Sequence, residues 1–114
     1  MAALPELPQL APSVYEPSDD SYLLLDVLDA ESAHIMSFFS NCAIVSMEVG
    51  GGSGVLSAGF MTRMRSHGAG MFHFVLDINP EACAACSKTM HLNGLSFASQ
   101  VIQTDLTSSS SVGT

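Results

Sequence analysis

The chain has 114 residues, 47% of them hydrophobic and only 12% charged, with eleven acidic residues against three basic ones and a formal net charge of −8. That length fits one small domain with a core of its own, but it is short of the roughly 150 or more residues of a complete doubly wound sheet. No apolar run approaches the ~20 residues of a membrane span, and the acidic balance, with almost no Lys or Arg for counterion release, argues against direct nucleic-acid binding.

No basic amino-terminal region leads into an apolar stretch and a small-residue cleavage site, so no secretory signal is read and the expected address is intracellular. Three cysteines, Cys42, Cys83 and Cys86, are an odd set that argues against a disulfide framework. Cys83 and Cys86 have C-x-x-C spacing, but no second pair stands at matching spacing. Small buried helix residues are the favoured reading over redox or metal chemistry, and no metal site is assigned.

Residues 1–13 carry three prolines without periodicity and read as a mobile tail or an arm laid on the surface. The segment from 14 to 41 is expected to be helical. Pro17 suits a first turn, Asp19 and Asp20 favour the positive helix end, and Leu23, Leu24, Val27 and Leu28 form the apolar face. Ser21 is an additional first-turn hydroxyl that could face a ligand. Ile35, Met36, Phe38 and Phe39 are expected core contacts, Ser40 and Asn41 end the helix, and His34 is expected at the surface.

Ala43 to Val49 reads as a buried strand that ends in Glu48-Val49 and breaks into Gly50-Gly51-Gly52-Ser53-Gly54. Glycines at 50, 52 and 54 permit positive φ and close approach of a ligand to bare backbone, and the helix predicted from Val55 to Ser66 points its free N–H groups into the same space. The dinucleotide fingerprint would need glycine at 55, where this chain has Val55. Arg63 and Arg65 near the end of that helix are accounted for by its negative carboxyl end.

After a turn at 67–70, Met71 to Leu76 is a second strand, too apolar to be half exposed and suited to a parallel interior. His73 within it is expected to be a satisfied core histidine. Asp77 closes the strand, Asn79 can cap and Pro80 start the next helix, and Asn93-Gly94 ends that helix. Phe97 to Gln103 is a third strand, followed by Thr104-Asp105-Leu106. Asp105 either accepts from the exocyclic amine of a purine or caps a loop. Residues 107–114 are polar, of low complexity and expected to be disordered. Parallel strands would bring Glu48 and Asp77 to one edge of a crevice, where acids suit ribose hydroxyls and an ammonium group. In a sheet ordered 3-2-1-4, the strand with Glu48 would be left with an unpaired edge, because no fourth strand is present.

Four segments carry a resemblance: Tyr15-Glu16-Pro17-Ser18-Asp19-Asp20-Ser21, Glu48-Val49-Gly50-Gly51-Gly52-Ser53-Gly54, Asp77-Ile78-Asn79-Pro80-Glu81-Ala82 and Thr104-Asp105-Leu106. In order and type they resemble the HemK-like class I methyltransferases, most closely the eukaryotic and archaeal release-factor glutamine methyltransferases, over about Val14 to Leu106. The resemblance implies an α/β, Rossmann-like fold, here incomplete, with three parallel strands and their helices preceded by an amino-terminal helix. It implies an S-adenosyl-L-methionine-binding half over residues 42–106 and methyl transfer to the side-chain nitrogen of a release-factor glutamine. By position, Gly50, Gly52 and Gly54 would line the methionine part with Glu48 behind them. Asp77 would hold the ribose diol, Asp105 and Leu106 would meet the adenine, and Ser21 matches a hydroxyl that contacts the cofactor. A small zinc-binding activator subunit is the implied partner, and the implied location is the cytoplasm, with the nucleus as a second compartment.

The sequence departs from that family in lacking its Asn-Pro-Pro-Tyr motif, so no catalytic residue is assigned and a truncated, inactive form is the expectation. Gly51 stands where relatives often have a different small residue. The alternatives are methylation of DNA adenine or of another protein side chain, and a non-catalytic module that binds cofactor or partner.

Overall fold

The computed structural model describes residues 4–39 and 42–107. The expected helix end at Ser40-Asn41 and the tail at 108–114 lie outside these. Helix α1 spans Asp19–Ser37, strand β1 Ile44–Val49, helix α2 Val55–Ser66, strand β2 Met71–Asp77, helix α3 Pro80–Leu92 and strand β3 Ser99–Gln103, the last preceded by a 3-10 turn at Ser96–Ala98. The sheet is parallel, in the order β1-β2-β3, with Glu48 level with Val75 and Asp77 level with Gln103. This is the α/β arrangement expected, with β1 at an edge.

The core lies on one side of the sheet. Ile44, Met71 and Val75 meet Ala58, Met61 and Met64 of α2 and Cys86 and Met90 of α3. Each strand therefore alternates. Val45, Met47 and Val49 are 72%, 58% and 65% exposed, and Phe72 points the same way. This corrects the expectation of a buried β1 and a fully enclosed β2: the strands are apolar on both faces, but the described helices cover only one.

Helix α1 also differs from its expected face. Pro17 precedes the helix, and Ser18 in extended backbone is the cap. Leu25 is fully buried, whereas Leu23, Leu24 and Val27 are exposed. The cause is on α2, where Gly59 leaves a notch: a Cβ there would stand 2.3 Å from Leu25 Cδ2. Ile35 and Met36 pack on the core, but Phe38 and Phe39 are exposed. His34, exposed as expected, meets the Phe38 ring edge-on. Ser32 Oγ lies 2.8 Å from His67 Nε2, a second link between α1 and the end of α2.

The helix dipole is not the main reason for the two arginines. Arg63 is 2% exposed, with Nε 2.7 Å from Asp29 Oδ1, Nη2 donating to Asp29 Oδ2 at 3.2 Å and Nη1 to the Gly59 carbonyl at 3.0 Å. Arg65 lies over the ring of Phe97, 4.6 Å from its centroid. Phe97 itself falls in the 3-10 turn, so β3 begins two residues later than expected.

Residues 4–13 form an irregular arm against α3. Glu6 and Asn93 exchange two hydrogen bonds, at 2.9 and 2.8 Å, and Leu10, Ala11 and Val14 pack on Ala82 and Ala85. At the other end of α3, Asn79 caps the helix by accepting from the Glu81 N–H at 3.0 Å, and its amide donates to Ser13 Oγ at 3.1 Å.

Candidate functional site

The site is built at the carboxyl ends of the three strands. After β1 the chain turns through Gly50, Gly52 and Gly54 at φ of 76°, 58° and 87°, values only glycine adopts readily. The turn is held from three directions. Gly50 N–H donates to the Leu76 carbonyl at 2.7 Å, Gly52 N–H to Asp77 Oδ2 at 3.1 Å, and Gly54 N–H to the Gly51 carbonyl at 2.9 Å. From α3, Thr89 Oγ1 donates to the Ser53 carbonyl at 2.6 Å and Cys86 Sγ to the Gly52 carbonyl at 3.2 Å. Asp77 is thus a joint between loops, since its other oxygen accepts the Asn79 N–H at 2.9 Å.

A cavity of about 220 Å³ opens beside this joint, lined by Val49, Gly50, Asp77, Ile78, Asp105 and Leu106 among others. Four of the expected cofactor residues, Gly50, Asp77, Asp105 and Leu106, therefore meet around one space, and Gly52 is bonded to it through Asp77. Asp105 Oδ1 accepts from the Thr107 N–H at 2.9 Å and its hydroxyl at 2.6 Å. Glu48 accepts from the Ser57 hydroxyl and lines a different cavity, of about 380 Å³, along the outer edge of β1 with Leu24, Leu28, Phe60 and His73. Gly54 caps α2, and a Cβ there would meet Thr89 and Cys86 at 3.1 to 3.2 Å, so close helix packing is its second constraint. Ser21 lines neither of these two cavities: its Oγ accepts the Ser18 N–H at 3.4 Å, as part of the α1 cap.

The electrostatics select for a cation. Burial pushes the Glu48 carboxyl above its ordinary 4.5, and nearby Asp77 adds to this while the Ser57 hydrogen bond opposes it. Burial raises the Cys83 thiol too, with Asp77 adding to it, and burial pushes Cys86 up to about 12, with Glu48 and Asp77 adding to it. Cys86 is thus a buried, neutral packing residue and not a reactive thiolate. No disulfide joins the three cysteines. Of the three basic residues, Arg63 is paired with Asp29, Arg65 lies over Phe97, and Lys88 lines a separate cavity with Leu7 and Pro8. Glu48 therefore lines one cavity and Asp77 and Asp105 the other, with no Lys or Arg in either lining, which disfavours a pyrophosphate and suits a positively charged ligand.

The raised Glu48 carboxyl has a consequence for stability. A carboxyl whose folded pKa exceeds its unfolded value binds more protons when folded, so stability rises as pH falls through the folded pKa and is lowest where the group is ionised. Glu48→Gln is expected to raise the melting temperature at pH 7.5 and to leave the two proteins closer together near pH 4.5. Thermal melts across that range check it, and a lower melting temperature at pH 7.5 would contradict it.

Several supporting residues escaped the sequence reading. Ser57 and Thr89 are buried hydroxyls that hold Glu48 and the loop, and nothing in a single helix distinguishes them. Gly51 has ordinary φ, yet a Cβ there would be 2.2 Å from Val75 Cγ1 and 3.0 Å from Cys86 Sγ. Its glycine is therefore imposed by the stiff Val75 side chain. Gly51→Ala is expected to cost about 1–3 kcal/mol, and adding Val75→Ala is expected to recover part of that. Urea unfolding of both singles and the double tests it; simple additivity would contradict it.

No family profile matches the chain. Over 93 residues it is 40% identical to methyltransferase HEMK2 of Homo sapiens, covering 82% of this chain and 39% of that protein. Over 80 residues it is 34% identical to the eRF1 methyltransferase catalytic subunit mtq2 of Schizosaccharomyces pombe, covering 70% and 34%. The amino-terminal domain of human METTL16 in complex with SAH has the same fold over 88% of this chain and 37% of that one, with a TM-score of 0.61 at 12% identity. A Geobacter sulfurreducens SAM-dependent methyltransferase in complex with S-adenosyl-L-homocysteine matches over 77% and 30%, with a TM-score of 0.52 at 17% identity. The chain spans about two fifths of the length of the HEMK2 relatives it matches. By its fold and this sequence identity together, it belongs to the HemK-like class I methyltransferases.

Proposed function

We propose that this chain is the S-adenosyl-L-methionine-binding part of a methyltransferase that acts on a side-chain amide of a translation release factor. The observation that carries the reading is the Gly50–Gly54 turn clasped by Asp77, with Glu48 beside it and no Lys or Arg lining the two cavities. S-adenosyl-L-methionine carries an ammonium and a sulfonium that match this charge, and when bound it supplies an electrophilic methyl group. The cavity walls fit the rest. Val49, Ile78 and Leu106 offer apolar surface for a base, and each oxygen of Asp77 retains capacity for a second hydrogen bond from a ribose hydroxyl.

Within this reading residues 42–106 are the cofactor half. Asp77 orients the ribose, Asp105 and Leu106 meet the adenine, and Gly50, Gly52 and Gly54 bring backbone against the methionine part. Glu48 holds the ammonium, and Ser21 takes the lesser role of fixing the start of α1. Held this way, the reactive carbon would be presented to an amide acceptor positioned by residues outside the matched stretch, a contribution of orientation. This chain lacks the Asn-Pro-Pro-Tyr motif, so it performs no transfer alone. Support for the acceptor comes from the fission-yeast relative, named for eRF1, and its designation as a catalytic subunit supports a second, activating subunit, which we take to be a small zinc-binding protein. A release-factor substrate implies the cytoplasm. No described helix is long and apolar enough to cross a membrane.

The test is a chimera in which the matching 80-residue stretch of the fission-yeast protein is replaced by this chain's. Transfer of a labelled methyl group from S-adenosyl-L-methionine to eRF1 is expected, and none from the 114-residue chain alone. A chimera that binds the cofactor yet methylates duplex DNA in place of eRF1 would overturn the acceptor assignment.

A further inference from the structure

A line of hydrogen bonds, buried at its centre, joins β1, β2 and α2. Ser46 Oγ lies 2.7 Å from His73 Nδ1, His73 Nε2 lies 2.7 Å from Ser57 Oγ, and the Ser57 hydroxyl reaches Glu48. His73 is 3% exposed and Ser57 1%. The direction of every link follows from its acidic end. An ionised Glu48 can only accept, so Ser57 gives it the single hydroxyl proton, Ser57 Oγ must then receive one from Nε2–H, and Nδ1, left with a lone pair, accepts from Ser46. Protonating Glu48 reverses all of this: the carboxyl donates to Ser57, Ser57 donates to Nε2, and Nδ1–H donates to Ser46. The imidazole tautomer and the state of Glu48 are two ends of one device.

We propose that His73 is a positioning residue that, through Ser57, aims Glu48 at a cationic ligand and keeps it ionised, so that the imidazole tautomer is coupled to occupancy of the site. The inference rests on the cofactor reading above. A neutral ring suits the role: it supplies a donor without a charge that would cancel Glu48. Burial lowers the His73 pKa, which keeps it neutral at physiological pH, and the nearest ring, Phe60, is 5.8 Å away centroid to centroid. The groups facing Glu48 are consistent with this. β2 presents His73 and Asp77, α3 presents Cys86 in its neutral state, α2 presents Ser57, and α1 presents only Leu24 and Leu28.

The experiment is long-range proton–nitrogen NMR on the 15N-labelled 114-residue chain at pH 7.5, paired with S-adenosyl-L-methionine titration of variants. Wild type is expected to hold His73 as the Nε2–H tautomer, and Glu48→Gln to shift the population toward Nδ1–H. His73→Phe is expected to weaken S-adenosyl-L-methionine binding about five- to tenfold and to move the loss of binding at low pH upward. His73→Gln, which retains a donor and an acceptor, should restore both to within about twofold of wild type. A mixture of tautomers, random-coil imidazole shifts, or a Phe variant with the wild-type dissociation constant and pH profile would overturn the relay. Wild type with the expected tautomer but no S-adenosyl-L-methionine binding would overturn the cofactor reading, and the coupling with it.

Discussion

Asp77→Ala is expected to weaken S-adenosyl-L-methionine binding by at least about a hundredfold. The carboxylate accepts backbone N–H groups from both loops that form the cavity, Gly52 at 3.1 Å and Asn79 at 2.9 Å. Its loss would release the glycine turn from the tip of β2 as well as removing the acceptor for the ribose. A hydrogen bond to a charged group contributes about 1.5–3 kcal/mol, so losing two such acceptor functions corresponds to about 3 kcal/mol or more, and each 1.4 kcal/mol is about tenfold in affinity. Asp77→Asn should fall between, because its amide oxygen can accept from one loop while its NH₂ cannot accept from the other. Calorimetric titration of the three proteins checks the order. Equal affinity of wild type and Asp77→Ala would remove Asp77 from the site.

Arg63→Ala is expected to cost about 3–5 kcal/mol, a large share of the roughly 5–15 kcal/mol typical of a small domain. The guanidinium is buried between α1 and α2, and its removal leaves Asp29 without its partner and Gly59 O without a donor. Arg63→Met with Asp29→Leu should recover most of the loss, since an apolar pair of similar volume needs no ionic partner. Denaturant unfolding of the singles and the double decides this. A single Arg63→Ala within about 0.5 kcal/mol of wild type would show that the pair behaves as an exposed one.

What could be read from the sequence was local in origin. The turn at Gly50–Gly54 and the Asn79-Pro80 helix start depend on φ preferences and capping within a few residues, and both are present as expected. The sheet order followed from parallel connections. Long-range pairings could not be read: Arg63 with Asp29, Ser46 with His73, and Gly51 against Val75 join segments 24 or more residues apart, and their residue types are ordinary in each segment alone. The strand faces misled for a physical reason. Val45, Met47 and Phe72 are as apolar as the residues on the covered face, so composition could not show that the described helices pack on only one side. In α1 the same ambiguity among four leucines and a valine was resolved by Gly59, a residue 34 positions after Leu25. Ser21 had a sufficient role in the helix cap, and Gly54 a second one in packing against α3.

The most direct measurement is calorimetric titration of S-adenosyl-L-methionine into the 114-residue chain, with ATP and S-adenosyl-L-homocysteine run in parallel. Saturable one-to-one binding of S-adenosyl-L-methionine, competed by S-adenosyl-L-homocysteine and indifferent to ATP, is the predicted result. A cooperatively melting chain that binds ATP in preference, or none of the three ligands, would contradict the account.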